Sequence, residues 1–394
     1  MKRKALVLLL TFVLMAFMLP GCKTPASEQN QSQSSTSGGE ATSTVSKDTI
    51  KVGFIHVSDP SDMGYTYNHD LGTKEMQRTL GLRDDQIINK FNVAEGAECD
   101  TALRELVDAG CNIIFATSFG FEDYVLEVAR EYPDIQFCHA TGYQAAESGL
   151  PNFHNYFASI FEGRYLAGIA AGLKTQTNKL GYVAAFPFAE VISGYTAFYL
   201  GAKSVNPDVT MEIMYTNAWN DPTVEAQVTK ALIERGSDVI SQHSDSTAPA
   251  TTAEENGVWQ VGYNNDMISA APNASLISAR IDWGIYVTFA VQSLLDGRQI
   301  PADWCKGYKD GAVYLSPLND PIAAEGTQEK INEAAQGIVN GQLHVFAGPL
   351  SGEGVDFSGN PITIDIAAGD FYHEQESASA PSWCYIIPGC TVIQ

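Results

Sequence analysis

The chain has 394 residues, 45% of them hydrophobic and 18% charged, enough for two domains with packed cores and incompatible with disorder throughout. Its 23 Lys and Arg against 46 Asp and Glu give a net charge of -23, which repels phosphate backbones and anionic headgroups and argues against a nucleic-acid partner. Seven scattered cysteines make no disulfide scaffold, and none forms the CxxC pair of zinc and redox sites.

Lys2, Arg3 and Lys4 precede the apolar run Ala5 to Leu19, too short for a comfortable bilayer span but right for a signal-peptide core. The run ends in Leu19-Pro20-Gly21-Cys22, similar to the bacterial lipobox, in which the cysteine is lipidated and becomes the new N-terminus. Pro20 departs from the usual small residue there, and the alternative is an ordinary secretory signal with an incidental Cys22 thiol. Lys23 to Thr49 is rich in Ser, Thr, Gln and Gly and reads as a flexible tether spanning roughly 30 Å. No later run of apolar residues is long enough to cross a bilayer.

From Ile50 short apolar runs alternate with amphipathic stretches, which predicts repeated β-α units and parallel sheets. Strands are expected near Ile50 to Val57, Gln86 to Phe91, Ile113 to Thr117, Ile135 to His139 and Asn155 to Ala158. Helices are expected at Tyr67 to Leu80, Cys99 to Ala109 and Asp123 to Glu131, with Gly81 and Gly110 as stops. After a helix at Phe161 to Lys174 the rhythm restarts. Its strands are Leu180 to Ala185, Val209 to Tyr215, Val239 to Gln242 and Val258 to Gly262. Its helices are Glu190 to Ser204, Thr223 to Arg235 and Thr247 to Asn256. A strand at Leu276 to Asp282 and helices to Leu295 and over Glu325 to Asn340 are placed back on the first lobe. The division is then a signal and lipidated cysteine at 1–22, a tether at 23–49, one lobe at 50–160 plus 276–350, a second at 161–275 and a C-terminal segment at 351–394.

In open parallel sheets the ligand crevice lies beyond the carboxyl ends of the strands. The loops following these strands are rich in aromatic and short polar side chains, which suits a flat, uncharged, nitrogen-rich ring. Cys384 and Cys390 are spaced so that a disulfide is allowed, and Cys111 and Cys138 flank strands that could be neighbours.

Several blocks in order carry a resemblance to a family. They are Asp62-Met-Gly-Tyr65-Thr66 with Gly72, Ala116-Thr-Ser-Phe119-Gly-Phe121, His139-Ala-Thr-Gly142-Tyr143, Glu162-Gly-Arg164-Tyr165, Gly181-Tyr-Val-Ala-Ala-Phe186-Pro187, Thr216-Asn-Ala-Trp219-Asn-Asp221-Pro222, Gln242-His243-Ser-Asp245-Ser246 and Phe346-Ala-Gly-Pro349. From about Ile50 to Leu350 the chain resembles the basic membrane protein family of substrate-binding lipoproteins, relatives of purine nucleoside receptors. The resemblance implies a type I periplasmic-binding-protein fold, two Rossmann-like α/β lobes joined by a hinge. It further implies a purine ligand, an ABC permease and ATPase as partners, no cofactor or metal, and a lipid-anchored place on the outer side of the cell membrane.

By the same resemblance Tyr65 stacks on the ligand and Thr66 makes a polar contact. Gly262-Tyr263-Asn264-Asn265-Asp266 has the neutral Asn264 where the nucleoside receptors hold ribose hydroxyls with an acid, and Ile281 stands where a ribose lysine is expected. Both departures favour a free base, adenine or hypoxanthine, over a nucleoside. Trp219 is expected to stack opposite Tyr65 or Phe119. Asp245 and Asp266 are expected to accept from ring N–H or amine groups, and His243 and Tyr263 to line the same cleft. Asp221 either accepts from the ligand or caps the helix that starts at Pro222. No nucleophile elbow, HExxH or Walker A loop is present, so no enzyme activity is expected. A nucleoside receptor and a ligand-sensing ectodomain remain the alternatives.

Overall fold

The computed structural model describes residues 45–356, 358–376 and 378–393. The signal segment, Cys22 and most of the tether lie outside the described residues. In chain order the elements are β1 (Val52–Ile55), α1 (Tyr65–Leu80), β2 (Ile87–Lys90), α2 (Ala97–Asp108), β3 (Ile113–Ala116), α3 (Glu122–Glu131), β4 (Gln136–His139), α4 (Gln144–Ser148) and β5 (Phe153–Ala158). There follow α5 (Ile160–Lys174), β6 (Lys179–Ala184), α6 (Ala189–Val205), β7 (Thr210–Tyr215), α7 (Pro222–Glu234), β8 (Val239–His243), α8 (Ala248–Glu255), β9 (Trp259–Tyr263) and β10 (Ser275–Ile281). The chain ends with α9 (Trp283–Leu295), β11 (Asp303–Lys306), β12 (Val313–Leu315), α10 (Thr327–Val339), β13 (Leu350–Val355), β14 (Pro361–Ile366), β15 (Tyr385–Ile386) and β16 (Cys390–Ile393).

The first sheet has the order β11-β5-β4-β3-β1-β2 and is parallel throughout. Every residue of β1 and β3 is buried, as expected of strands covered by helices on both faces. The second sheet has the order β12-β10-β9-β8-β6-β7-β16, and only β12 runs against its neighbour. The chain crosses between the sheets after Ala158, after Ile281 and again between Lys306 and Val313, so the lobes are joined by several segments.

Local chemistry starts and stops these elements. The buried Asp62 carboxyl accepts from the N–H groups of Gly64, Thr66 and Tyr67 at 2.9, 2.9 and 3.0 Å and so caps the first turn of α1. Gly81 ends that helix in the left-handed region, at φ 62°, where a Cβ would be strained.

Three expectations are corrected. The strand at Ser275–Ile281 pairs with β9 and β12 in the second sheet, so the lobe boundary falls after it and not at 276. Helix α10 packs on α5, which itself covers the second sheet, and not on the first lobe. The folded region begins before Ile50: Ile50 N–H donates to Ser46 O at 2.9 Å, Gln86 Nε2 donates to Lys47 O at 2.8 Å, and Val45 packs on the core.

The C-terminal segment is built into both lobes. β13, β14 and β15 form a small antiparallel sheet, and β16 then adds a parallel edge strand to β7 of the second sheet. Between them Ser379 N–H donates to Asp303 Oδ2 in the first sheet at 2.7 Å, and the buried Trp383 stacks on Phe346 with centroids 4.5 Å apart. Glu374 accepts from Ser382 N, Trp383 N and Ser382 Oγ at 3.0, 3.0 and 2.8 Å. Cys384 and Cys390 are free thiols, as are Cys111 and Cys138, so neither allowed bridge forms. Trp383→Ala should lower the unfolding free energy by about 3 to 5 kcal/mol in a urea titration, because it empties a filled core position. An unchanged midpoint would show the segment to be a passive tail.

Candidate functional site

Parallel strands aim their carboxyl ends at the cleft, and the loops after them meet there. Five residues from the first lobe, Val57, Tyr65, Ser118, Phe119 and Thr141, and five from the second, Glu190, Trp219, His243, Asp245 and Tyr263, line one cavity with about 320 Å³ of empty space. That space includes openings to solvent, and the enclosed room is only about 20 Å³, little more than one water needs, so the walls must part to admit a larger ligand. The lobes touch across it. Thr141 Oγ1 donates to Glu190 Oε2 at 2.6 Å, Asn220 Nδ2 donates to Ser58 Oγ at 3.0 Å, and the Phe119 and Phe188 rings lie 5.0 Å apart.

Aromatic side chains line much of the wall. Trp219 packs edge-on against Phe186, at 5.1 Å, with Phe188 tilted beside it at 6.1 Å. Tyr65 is held by His69 at 4.6 Å and by Trp283 at 5.9 Å, both in edge contacts. Tyr263 lies between the His243 ring, 4.7 Å away, and the Arg164 guanidinium, 3.6 Å from its centroid. These neighbours fix the rings before any ligand arrives.

The polar groups differ in how they are satisfied. The Asp245 side chain is almost fully buried, and among the described residues no donor reaches its carboxyl group. Burial pushes its pKa well above the ordinary value, and the acids Asp62, Glu225, Glu190 and Glu95 push it further. The loop that carries it is clamped: Asp245 N–H donates to Trp219 O at 2.9 Å, and Glu225 accepts from Ser244 Oγ and Ser246 Oγ at 2.8 and 2.7 Å. His243 is driven down to about 4, first by burial and then by Arg164, so the ring is neutral at physiological pH. Its Nε2 stands 3.4 Å from Glu190 Oε1.

Of the residues singled out in the sequence, Tyr65, Phe119, Trp219, His243, Asp245 and Tyr263 come together around this cavity, while Thr66, Asp221 and Asp266 do not line it. Thr66 is buried in the first turn of α1 and bonded to Asp62. Asp221 caps α7 by accepting from Thr223 N and Val224 N at 3.1 and 3.0 Å, the second of the two roles left open. Asp266 caps a short 3-10 turn through Ile268 N at 3.0 Å. Asn264 and Ile281 are buried behind the lining. Val57, Ser118, Thr141 and Glu190 were given no ligand role from the sequence, Thr141 being noted only as part of a strand-end turn. Position after a strand was the available signal for the first three, and Glu190 resembles any acid in a first helical turn.

Residues 49–346 match the family described as ABC transporter substrate-binding protein, PnrA-like. A purine-binding protein of Brucella abortus is 38% identical over 303 residues, covering 76% of this chain and 84% of its own. A relative from Haloferax volcanii, named for glucose binding in an ABC transporter, is 33% identical over 342 residues, with 84% and 85% covered. Among solved structures, an ABC-transporter solute-binding protein from Aeropyrum pernix superposes with a TM-score of 0.63 at 18% identity, over 76% of this chain and 94% of that one. One from Conexibacter woesei gives 0.62 at 17%, over 75% and 98%. The fold is the two-lobed type I solute-binding arrangement.

A carboxyl group titrating above its ordinary 3.8 keeps in the folded chain a proton that the unfolded chain releases, so stability falls as pH rises from that value. Asp245→Asn has no charge to bury. The ligand-free variant should melt higher than the parent at neutral pH, by a margin that shrinks as pH is lowered toward 3.8. A margin that does not change with pH, read by calorimetric scans, would mean that the carboxyl group is already compensated.

Proposed function

The chain belongs to the PnrA-like family of ABC-transporter substrate-binding proteins, which are extracytoplasmic and hand small molecules to a permease, and from that premise we propose that it captures a purine free base. The observation that carries this reading is the Asp245 carboxyl group, buried without a donor in an aromatic cavity. Such a group demands an N–H from whatever fills the space. Trp219, Tyr65 and Phe119 offer faces to a flat ring, and stacking is worth about 1 to 3 kcal/mol per base. A free purine has an imidazole N–H that a nucleoside lacks, because the sugar replaces it. The neutral Asn264 and Ile281 point the same way, and a relative is named for purine binding. The protein binds and releases without chemistry. Cleavage before Cys22 and lipidation of that thiol would leash the folded region to the outer membrane face, with closure of the lobes presenting the surface that the permease and ATPase recognise.

A thermal-shift panel of adenine, hypoxanthine, guanine, their nucleosides and glucose tests this on the chain lacking residues 1 to 22. A ligand at 100 times its Kd should add about 2.7 kcal/mol. Stabilisation by free bases is expected. Stabilisation by nucleosides alone would overturn the free-base reading, and by glucose alone the purine reading. Trp219→Ala should weaken base binding roughly 5- to 150-fold with little change in ligand-free melting, and near-parental affinity would assign the stacking to another ring.

A further inference from the structure

Glu190 enters the cavity from the first turn of α6 and is almost completely buried. Its Oε2 accepts the hydroxyl proton of Thr141 from the opposite lobe at 2.6 Å, and its Oε1 lies 3.4 Å from His243 Nε2. A threonine hydroxyl has one proton, so this bond leaves Thr141 Oγ1 with only lone pairs to offer. Glu190 and Thr141 therefore present two acceptor oxygens, one from each lobe, at the same point of the cavity wall. Among the described residues neither ring nitrogen of the neutral His243 has a hydrogen-bond partner, and the nearer one, Nε2, lies 3.4 Å from Glu190 Oε1. Its other ring nitrogen faces the backbone of α6, where a Cβ on Gly194 would come within 2.9 Å of it.

Resting on the purine assignment above, we propose that Glu190, together with Thr141, selects purines bearing an exocyclic amine over those bearing a carbonyl at that edge. An amine carries two N–H groups and can give one to each oxygen. A carbonyl oxygen in the same place would bring acceptors together with no proton between them. Sites that read a substrate through buried polar groups reject the mismatched analogue far more strongly than apolar pockets do. Asp245 does not supply this discrimination, because the imidazole N–H it would accept is common to amino- and oxo-purines. Glu190 is thus a specificity residue, and Thr141 aligns it across the cleft.

Titration calorimetry with adenine, unsubstituted purine and hypoxanthine on the parent, Glu190→Gln and Thr141→Val tests the assignment. The parent should bind adenine about 100-fold or more tighter than hypoxanthine, with unsubstituted purine between them. Glu190→Gln exchanges one acceptor oxygen for an NH2 donor that can reach a carbonyl, and should narrow the adenine-to-hypoxanthine ratio by about tenfold or more. Thr141→Val keeps the volume, removes one acceptor, and should narrow the ratio in the same direction; it carries the test if the melting curve shows Glu190→Gln to be unfolded. Affinities that fall together with the ratio unchanged would make Glu190 a structural clasp and overturn the proposal. A parent that prefers hypoxanthine would overturn it while leaving the purine reading intact, and a parent that binds none of the three would remove the purine reading itself.

Discussion

A carboxyl group held in a cleft with nothing to donate to it is costly, and Asp245 stands there beside other polar groups unpaired among the described residues, the Tyr263 hydroxyl, both His243 ring nitrogens and the Asn264 amide. Asp245 and Glu225 make the contrast plain, since both are buried and burial raises the pKa of both. Glu225 is met by the hydroxyls of Ser244 and Ser246 and by Asp221 N–H, and it works as a structural clamp. Asp245 sits on the very loop that Glu225 clamps and receives no such donors. The same short stretch of chain thus holds one satisfied acid that fixes the backbone and one unsatisfied acid that faces the cavity. The satisfied one is what keeps the other from turning away toward water.

Several contacts hold the two lobes together, and away from the cavity Asn68 Nδ2 donates to Ile281 O at 2.9 Å and Arg280 Nη2 to Asn68 Oδ1 at 3.3 Å. The Thr141 to Glu190 and Asn220 to Ser58 bonds, with the Phe119 to Phe188 contact, join the walls. Each hydrogen bond is worth about 0.5 to 1.5 kcal/mol net, so such a set alone favours closure only modestly. A ligand that stacks on the aromatic wall and satisfies Asp245 adds terms that exist only when both lobes are in place, which is how a ligand shifts such an equilibrium. The C-terminal segment bears on the same balance, since it bonds to Asp303 in the first sheet and extends the second sheet through β16. Lobe motion has to be compatible with both attachments, which restricts it to rotations that leave this side of the molecule together.

Much of this was legible in the sequence because its physics is local. Alternating apolar runs and glycine stops place most strands and helices of both lobes to within a few residues, but not α4, β11 or β12. Six of the lining residues follow from the rule that ligands sit beyond the carboxyl ends of parallel strands. What was not legible depends on partners distant in sequence. A buried strand such as Ser275–Ile281 has the same composition in either sheet, so pairing alone decides its lobe. An Asp before a helix start is an equally good cap or ligand group, and Asp221 and Asp266 are caps. Glu190 is the converse, an acid at a helix start whose partner is Thr141 of the other lobe. In the C-terminal segment β13 carries two glycines and β15 has only two residues, so both give little signal, whereas Pro361–Ile366 alternates apolar and polar residues and was legible as a strand.

Arg164 completes the electrostatic argument. It is a buried guanidinium that donates from Nη1 to the Gln242 carbonyl at 2.6 Å, with the Tyr263 ring lying against its face. Burial lowers the pKa of His243 and raises that of Tyr263, and the cation pushes both down, along with burial at the first and against it at the second. Tyr263 forms part of the cavity lining and lies against the guanidinium, so the positive charge reaches the site as a field and not as a donor. The same field, acting with burial, keeps His243 neutral, so the acceptors of the cleft remain available to the N–H groups of the molecule that closes it.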